Sequence, residues 1–443
     1  MVFKFRGLRR HVNADIVTGT KLTYAEHPTP TGLCSSCTND GVCEVGKRAR
    51  TGQTLFPQPF GVGQFGAEKK AADFQDIQII PELYGPSIRF DEVNTTTKLG
   101  GFKVKLPLSV AAMGSTKVSH DRVMAVAGGA AAAGIPYVLG ENVMVTYGEK
   151  EVKAIIDAYL KKYDGKHGAV LIQGNAIEVR NGIFELAKKY GAHGIEVKIG
   201  QGAKQGLGGE INFSDKKEAT KYKKLGFSIE ENADGTFQRH ADPGSLSTKE
   251  LRATIEKYKK LGLPIWVKTG VGRGLVRLIK DLDAINRRNK NVIKALTIDG
   301  LGGGTGMSPW LIMNETSIPS AAIMSIIKKK LSFDIILAGG YNTGIDIAKC
   351  LMLGAQGTSM GRSFNIAGNA EKHLDTMINK LKIKGWQGVD NFVKAVKEEV
   401  QMVCATQKTN NVAGLYNRRK NLFALDDTAG KTFGLPTDPK EVL

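Results

Sequence analysis

Long apolar runs and aromatic residues are both scarce in this sequence of 443 residues. No stretch reaches the ~18 consecutive apolar residues of a membrane-spanning helix, and the basic N-terminus, MVFKFRGLRRHVNAD, has no apolar run like that of a signal peptide. A cytoplasmic protein without a membrane segment is therefore expected. Aromatic residues are only 7% of the chain and do not alternate with the lysines, so the net charge of +19 does not indicate nucleic-acid binding. A solvated basic surface that meets an acidic electron-transfer partner fits the charge better.

Cysteine is also sparse, and it is unevenly placed. Cys34, Cys37 and Cys43 form a C-x2-C-x5-C cluster in CSSCTNDGVC, whereas Cys350 and Cys404 stand alone. In a cytoplasmic chain such a cluster favours a metal or redox site over disulfides. Three thiolates at this spacing suit an iron–sulfur cluster or zinc, and free or redox-active thiols are the third alternative. Cys350, in the apolar segment IAKCLML, is expected in the core.

Short apolar runs recur from residue 106 onward, with stretches of helical periodicity between them. The eight runs are 106–113, 136–140, 169–174, 194–200, 264–270, 295–300, 334–340 and 357–363. Eight buried strands that alternate with helices favour a parallel (β/α)8 barrel over a doubly wound open sheet. We therefore predict an α/β fold with a TIM barrel at 106–385, an N-terminal cysteine-containing extension at 1–105 and a C-terminal helical extension at 386–443.

Glycines, amides and lysines gather at the C-terminal ends of these runs. The sixth run continues as LTIDGLGGGTGMSP, which is either a floppy surface loop or a place where backbone approaches a bulky anionic ligand. Because the C-terminal ends of parallel strands meet at one mouth of a barrel, we expect a binding site there. Gly339 with Gly340, and Gly361 with Arg362, are typical of a phosphate cradle. Lys268 suits a ring system that gains negative charge on reduction.

The order of these motifs resembles the FMN-binding synthase domain of glutamate synthase and its shorter archaeal-type and N-methylglutamate synthase relatives. The matching strings, over roughly residues 100–365, are LPLSVAAMGS, GENV, VKIGQGAKQGLGGEI, RHADPG, WVKTGVG, IDGLGGGTGMSP and LAGGYNTGIDIAKCLMLGAQGTSMGRS. The strings QGAKxGxGGE and DGxxGGTGxSP are the family-specific ones, since other flavin barrels share only the late phosphate glycines.

The resemblance implies that FMN binds with its isoalloxazine ring over the barrel mouth. In that arrangement Lys268 lies near the reducible edge of the ring. The cofactor-binding residues that the resemblance implies are Ala111, Ala112, Met113, Gly114, Ser115, Gln173, Lys198, Lys268, Gly303, Gly304, Gly339, Gly340, Gly361 and Arg362, the last four at the phosphate.

The resemblance also implies a reaction in which a 2-oxo acid condenses with ammonia to an imine that reduced FMN converts to an amino acid. The expected activity is an oxidoreductase acting on CH–NH2 donors, 2-oxoglutarate to glutamate, with Lys198, Lys268 and Glu141 as catalytic residues and Glu141 as proton donor. The implied substrate contacts are Gln201, Lys204, Arg239, His240 and Thr305. From the residues alone, a helix cap stays open for Glu141, a solvated loop lysine for Lys204 and a plain turn for RHADPG.

The sequence departs from the large glutamate synthases in three respects, one being that GENVMV is unlike the family's usual glycine-rich acidic turn. No glutaminase domain is expected in these residues, so ammonia or an amine is expected from outside or from a partner subunit. The cysteine-rich stretch that holds a 3Fe–4S cluster after the barrel is missing, and only Cys404 remains near that point. Together with Cys34, Cys37 and Cys43 it could complete a 4Fe–4S site, zinc being the alternative. Electrons would then reach FMN from a ferredoxin or a partner subunit, in a homo- or hetero-oligomer.

Two other functions fit parts of the pattern. One is a flavin-dependent amine transferase resembling N-methylglutamate synthase, which has no net redox change and therefore no need of an electron-delivering cluster. The other is a flavin-dependent isomerase, for which QGAK and RHADPG are an odd fit. No GxGxxG follows a strand, so direct NAD(P)H binding is not expected.

Overall fold

The computed structural model describes residues 72–200, 211–240, 247–301, 303, 316–327, 329–369 and 384–443. Between residues 72 and 107, three short strands precede the barrel: β1 (Ile77–Ile79), β2 (Thr97–Leu99) and β3 (Phe102–Val104). The β2–β3 hairpin turns through Gly100 and Gly101, both at positive φ. Trp266 donates a 2.8 Å hydrogen bond to the Gly100 carbonyl, and a Cβ at Gly100 would lie 2.4 Å from its ring. The hairpin therefore packs on the apolar barrel interior that surrounds Trp266.

The first half of the barrel follows the predicted alternation of strands and helices. Its strands are β4 (Leu108–Met113), β5 (Tyr137–Leu139), β6 (Val170–Gly174) and β7 (Gly194–Lys198). The intervening helices are α1 (Lys117–His120), α2 (Val123–Ala133), α3 (Val143–Tyr147), α4 (Glu149–Leu160), α5 (Ala176–Arg180) and α6 (Glu185–Lys189). These strands are buried almost throughout, because one face meets the barrel interior and the other meets helices.

The segment after β7 contains a small antiparallel sheet. Its elements are β8 (Ile211–Phe213), α7 (Lys216–Leu225), β9 (Ser228–Glu231) and β10 (Phe237–His240), with β10 in the middle of the sheet. Tyr222 and Phe227 pack with Val145 and Ile177 in a separate apolar cluster. The insertion is thereby attached to α3 and α5, on one side of the barrel mouth.

The second half completes a closed ring of eight strands. Its elements are α8 (Thr248–Tyr258), β11 (Ile265–Gly270), α9 (Leu275–Arg288), β12 (Ile293–Asp299), a 3-10 turn (Ser320–Ser325), β13 (Asp334–Ala338), α10 (Gly344–Leu353), β14 (Gly357–Met360) and α11 (Arg362–Ala367). All neighbouring pairs in the ring are parallel, and β14 returns to β4. The predicted α/β fold and (β/α)8 TIM barrel are confirmed. Each of the eight apolar runs coincides with one strand of the ring, although β12 begins two residues before its run.

The chain after the barrel strands closes the outer layer. Helix α12 (Gly385–Thr406) packs between α2 and α10, so it occupies the position of the eighth barrel helix. The predicted boundary between barrel and C-terminal extension falls at the start of this helix. Strand β15 (Leu422–Ala424) pairs antiparallel with β1, and α13 (Asp427–Phe433) follows it. Within the described ranges, no helix combines the length and apolarity that a membrane crossing needs.

Candidate active site

A cavity opens at the C-terminal ends of the barrel strands. It is lined by residues from β4, β6, β11, β12, β13 and β14 and from the turns that follow them. The lining contains most of the residues predicted for the site: Ala111, Ala112, Met113, Gly114, Ser115, Glu141, Gln173, Lys268, Gly303, Gly339, Gly340, Gly361 and Arg362. The structure thus brings together residues that are separated by up to 251 positions in sequence, at the mouth where they were expected.

Lys268 and Asp299 form a buried ion pair at the base of the cavity. Lys268 Nζ lies 3.4 Å from Asp299 Oδ2, and the two side chains are 4% and 5% exposed. Burial acts to lower the pKa of Lys268, but the carboxylates of Asp299, Glu196 and Glu141 outweigh it and raise that pKa above its ordinary value. The ammonium is therefore a fixed positive charge that faces the cavity.

A second ion pair lies beside the first. Lys198, the last residue of β7, donates to Glu141 Oε1, and the two side chains are 11% and 12% exposed. Glu141 is held from both sides. Gly140 donates its N–H to the Met113 carbonyl at 2.9 Å, and Asn142 adopts a left-handed φ of 67°. This tight turn is what directs the Glu141 carboxylate towards Lys198 and the cavity.

Glu178 secures the other end of that turn. Its Oε1 accepts the Asn142 N–H at 2.9 Å, while Asn175, the N-cap of α5, donates from Nδ2 to Asn142 Oδ1 at 3.2 Å. Burial, and then repulsion from Glu141, raise the pKa of Glu178 to about 8. Glu178 was not among the predicted residues, because its sequence context, NAIEVR, is typical of an ordinary helix capping box.

Gln173 and Glu196 form a hydrogen-bonded pair at the cavity wall. Gln173 Nε2 donates to Glu196 Oε2 at 2.5 Å, and Thr297 Oγ1 donates to Glu196 Oε1 at 3.1 Å. Burial raises the pKa of Glu196, whereas Lys268, Gln173 and Thr297 act in the opposite direction. Gln173 Oε1 is buried and has no hydrogen-bond partner among the described residues. Successive side chains of β7 point to opposite faces, so Glu196 lies on the same inward face as Lys198. This sequence signal could have identified Glu196 as a site residue.

The far end of the cavity is built by the turns after β13 and β14. Gly339 and Gly340 have φ values of 114° and 83°, and a Cβ at Gly340 would meet no described atom within 4 Å. Asn342 crosses between the two turns: its Nδ2 donates to the Gly340 carbonyl at 2.6 Å, and its Oδ1 accepts from Ser363 Oγ at 2.9 Å. Arg362 lines this end, and burial lowers its pKa. The arrangement suits a phosphate group.

Several predicted substrate contacts are separate from this cavity lining. Arg239 is buried over the rings of Tyr222 and Phe227, at 4.4 and 5.0 Å, and His240 Nε2 lies 3.1 Å from Glu230 Oε2. Both belong to the inserted sheet. Gln201, Lys204, Gly304 and Thr305 lie outside the described residues.

The predicted metal ligands are only partly within the described residues. Cys34, Cys37 and Cys43 lie outside them. Cys404 is buried in α12, where burial raises its pKa to about 12 and its Sγ lies 3.9 Å from the Asn411 carbonyl. No group of three or more His, Cys, Asp or Glu side chains in the described ranges is arranged to hold a metal. The metal site stays a prediction. Cys350 is buried in the core, as expected.

The fold is shared with solved flavin-containing proteins of low sequence identity. A flavocytochrome b2 variant with sulfite bound matches with a TM-score of 0.57 and 19% identity over 86% of this chain and 84% of that chain. A mandelate oxidase variant with a monooxide FMN adduct matches with a TM-score of 0.51 and 15% identity, over 78% of this chain and 87% of that chain. These likenesses define a (β/α)8 barrel of the same overall architecture.

The family follows from the sequence comparison. Residues 77–410 match the conserved region in glutamate synthase, and the chain belongs to this family. An archaeal glutamate synthase [NADPH] of Archaeoglobus fulgidus is 26% identical over 66% of this chain, and the match spans 51% of that relative's length. A glutamate synthase large subunit-like protein of Rhizobium meliloti is 23% identical over 81% of this chain and 78% of its own. The chain therefore spans about half the length of the archaeal relative.

Proposed function

We propose that this chain is an FMN-dependent oxidoreductase of the glutamate synthase type, which reduces the 2-imino acid formed from 2-oxoglutarate and ammonia or an amine. The observation that carries the proposal is the presence of two lysine–carboxylate pairs, Lys198 with Glu141 and Lys268 with Asp299, at one barrel mouth. Membership of the glutamate synthase family supports the reaction class.

The residues present fit FMN at both ends of the cavity. Gln173 Oε1 and Asn365 Oδ1 are buried acceptors without hydrogen-bond partners among the described residues, and both side chains line the cavity. Such acceptors suit the N–H and hydroxyl donors of a flavin nucleotide. Gly340 and Arg362 suit its phosphate, because one leaves open space and the other supplies positive charge. Bound FMN would supply two-electron reduction.

Each side chain has a separate role in this proposal. Lys268 stabilises negative charge that develops at the cavity base, since its ammonium is buried and the charges of Asp299, Glu196 and Glu141 raise its pKa. Glu141 passes a proton to the substrate from the ammonium of Lys198, whose hydrogen bond also fixes the position of that carboxyl. Reduction of an imine to an amine consumes two electrons and two protons, so a proton donor beside the reducing group is required.

We propose that Cys34, Cys37 and Cys43 hold an iron–sulfur cluster that receives electrons from a ferredoxin or a partner subunit. Cys404 could serve as the fourth ligand only after its thiol left the Asn411 carbonyl and lost its proton. Iron and sulfide analysis of anaerobically purified protein tests this step, with about four iron atoms per chain expected. A stoichiometric zinc content would contradict it.

The reaction is tested with the FMN-loaded protein under anaerobic conditions. The flavin is first reduced with dithionite, and 2-oxoglutarate is then added with and without ammonium. We expect reoxidation of the flavin and formation of glutamate only when both are present. The Lys268→Met variant provides a control that still carries the cavity but lacks its buried cation. Failure of the wild-type protein to bind FMN, or reoxidation that does not depend on ammonium or an added amine, would contradict the proposal.

A further inference from the structure

The amide of Gln173 is buried at the cavity wall with only one of its two ends engaged. Gln173 is the penultimate residue of strand β6, and it is 1% exposed. Its Nε2 donates to Glu196 Oε2 at 2.5 Å, whereas its Oε1 has no hydrogen-bond partner among the described residues. An unpaired buried acceptor is costly to leave in that state, so its position at a cavity wall points to a donor on a ligand.

Glu196 prevents this amide from turning over. An ionised carboxylate can only accept hydrogen bonds, and its second oxygen is taken by Thr297 Oγ1 at 3.1 Å. A Gln173 amide turned by 180° would set its oxygen against the Glu196 carboxylate and direct its NH2 group into the cavity. Burial raises the pKa of Glu196 and the ammonium of Lys268 acts against it. Both carboxylate oxygens accept hydrogen bonds in the structure, so neither is left to donate to the amide. At this point the wall therefore presents a hydrogen-bond acceptor, Gln173 Oε1, to the cavity and presents no donor.

We propose that Glu196 is a positioning residue that makes Gln173 present only its carbonyl oxygen to the cavity, so that the cavity selects a ring carrying an N–H donor at this point. The inference rests on the proposed function, because it takes that ring to be the isoalloxazine of FMN. An oxidised isoalloxazine ring carries a single N–H, at N3. The wall formed by Gln173 and Glu196 thus recognises N3–H.

The experiment compares the binding of FMN with that of 3-methyl-FMN, in which this N–H is replaced by N–CH3. Dissociation constants are measured by quenching of flavin fluorescence on the apoprotein, so no turnover is needed. We expect the wild-type protein to bind 3-methyl-FMN at least ~10-fold more weakly than FMN, because the Gln173 oxygen is then left unpaired. The Glu149→Gln variant, which alters only a surface carboxylate paired with Lys189, should discriminate as the wild type does.

Glu196→Gln separates hydrogen bonding from steric exclusion of the methyl group. A glutamine at this position can donate to Gln173 Oε1, so the Gln173 amide can turn and present its NH2 group while the shape of the wall is retained. The preference for FMN should then fall below ~3-fold. A preference that persists undiminished in this variant would show that the methyl group is excluded by size, and would overturn the inference.

A second variant covers the case in which Glu196→Gln does not fold. Gln173→Met removes the acceptor and leaves Glu196 in place, and it too should lose the preference; a retained preference would overturn the inference. Wild-type protein that binds both flavins equally would overturn the role of Glu196 while the proposed function stands. Wild-type protein that binds neither flavin would overturn the proposed function and the role of Glu196 together, which is a distinct result.

Discussion

Lys198 and Lys268 are paired Cα to Cα across the neighbouring parallel strands β7 and β11, yet each ammonium meets a different carboxylate. Two buried cations on adjacent strands repel one another unless each has its own counter-charge. Glu141 supplies one from the turn after β5, and Asp299 supplies the other from the end of β12. The two lysines therefore have different roles. Lys268 is the fixed positive charge at the base of the cavity, and Lys198 is the ion-pair partner of the proposed acid, Glu141.

Lys268 should set the redox potential of bound FMN. Replacing it with methionine removes a buried positive charge that favours the reduced, more negative ring, so the midpoint potential should fall by about 30 mV or more, which corresponds to a tenfold change for a two-electron couple. Asp299→Asn should shift the potential in the opposite direction, because it removes negative charge from the same pair. Potentials are measured by dye equilibration, and the exposed Lys280→Met serves as control. Shifts of equal sign in the two variants would contradict this role.

Glu141 should act as an acid during turnover. Glu141→Gln keeps the shape of the side chain and can still accept from Lys198, but it has no proton to give. The steady-state rate should fall by about 10²-fold or more, while the dissociation constant for FMN changes little. Glu149→Gln, which alters a surface ion pair with Lys189, is the matched control. A rate within a factor of about three of wild type would show that the proton comes from elsewhere.

Glu178 should make the protein less stable as the pH rises. The pKa of Glu178 is about 8 in the folded state against 4.5 for an unperturbed side chain, so between these values the native state binds the extra proton. The free energy of unfolding should therefore fall by about 1.4 kcal/mol per pH unit across that interval from this group alone, and level off above it. Denaturant unfolding of wild type and Glu178→Gln at several pH values measures the difference.

The control for that experiment is Glu231→Gln, an exposed carboxylate on β9. The difference between wild type and this variant should not follow the same pH trend. Equal pH dependence of Glu178→Gln and wild type would mean that Glu178 does not hold a proton in the folded state.

The packing of α12 on α2 can be tested with two neighbouring glycines. A Cβ at Gly129 would lie 2.4 Å from Val389 Cβ and 2.7 Å from the Trp386 carbonyl, so Gly129→Ala should cost about 1–3 kcal/mol. A Cβ at Gly128 would come no closer than 3.4 Å, to the Ala158 carbonyl. Gly128→Ala should therefore be neutral, or stabilise by up to about 1 kcal/mol through helix propensity. Calorimetric melting temperatures compare the two, and equal destabilisation would contradict the observed helix packing.

Much of the barrel and the location of its mouth could be predicted from the sequence. The eight apolar runs are local signals, because a strand buried on both faces must be apolar over its whole length. The glycines at Gly339 and Gly340 are local too, since their positive φ values exclude most other residues. Once a parallel barrel is inferred, the rule that strand ends share one mouth brings Gln173, Lys268 and Arg362 together without coordinates.

The tertiary structure alone decided the partners within that mouth. Glu141 and Lys198 are 57 positions apart, and Thr297 and Glu196 are 101 apart. No periodicity reports which carboxylate meets which ammonium at such separations, because that choice depends on the register between strands and on turns such as Asn142. The same holds for α12, whose amphipathic pattern predicts a helix but not its place between α2 and α10. Local pattern fixes the elements and their burial, whereas the pairing of charges and amides arises only when distant strands are brought into register.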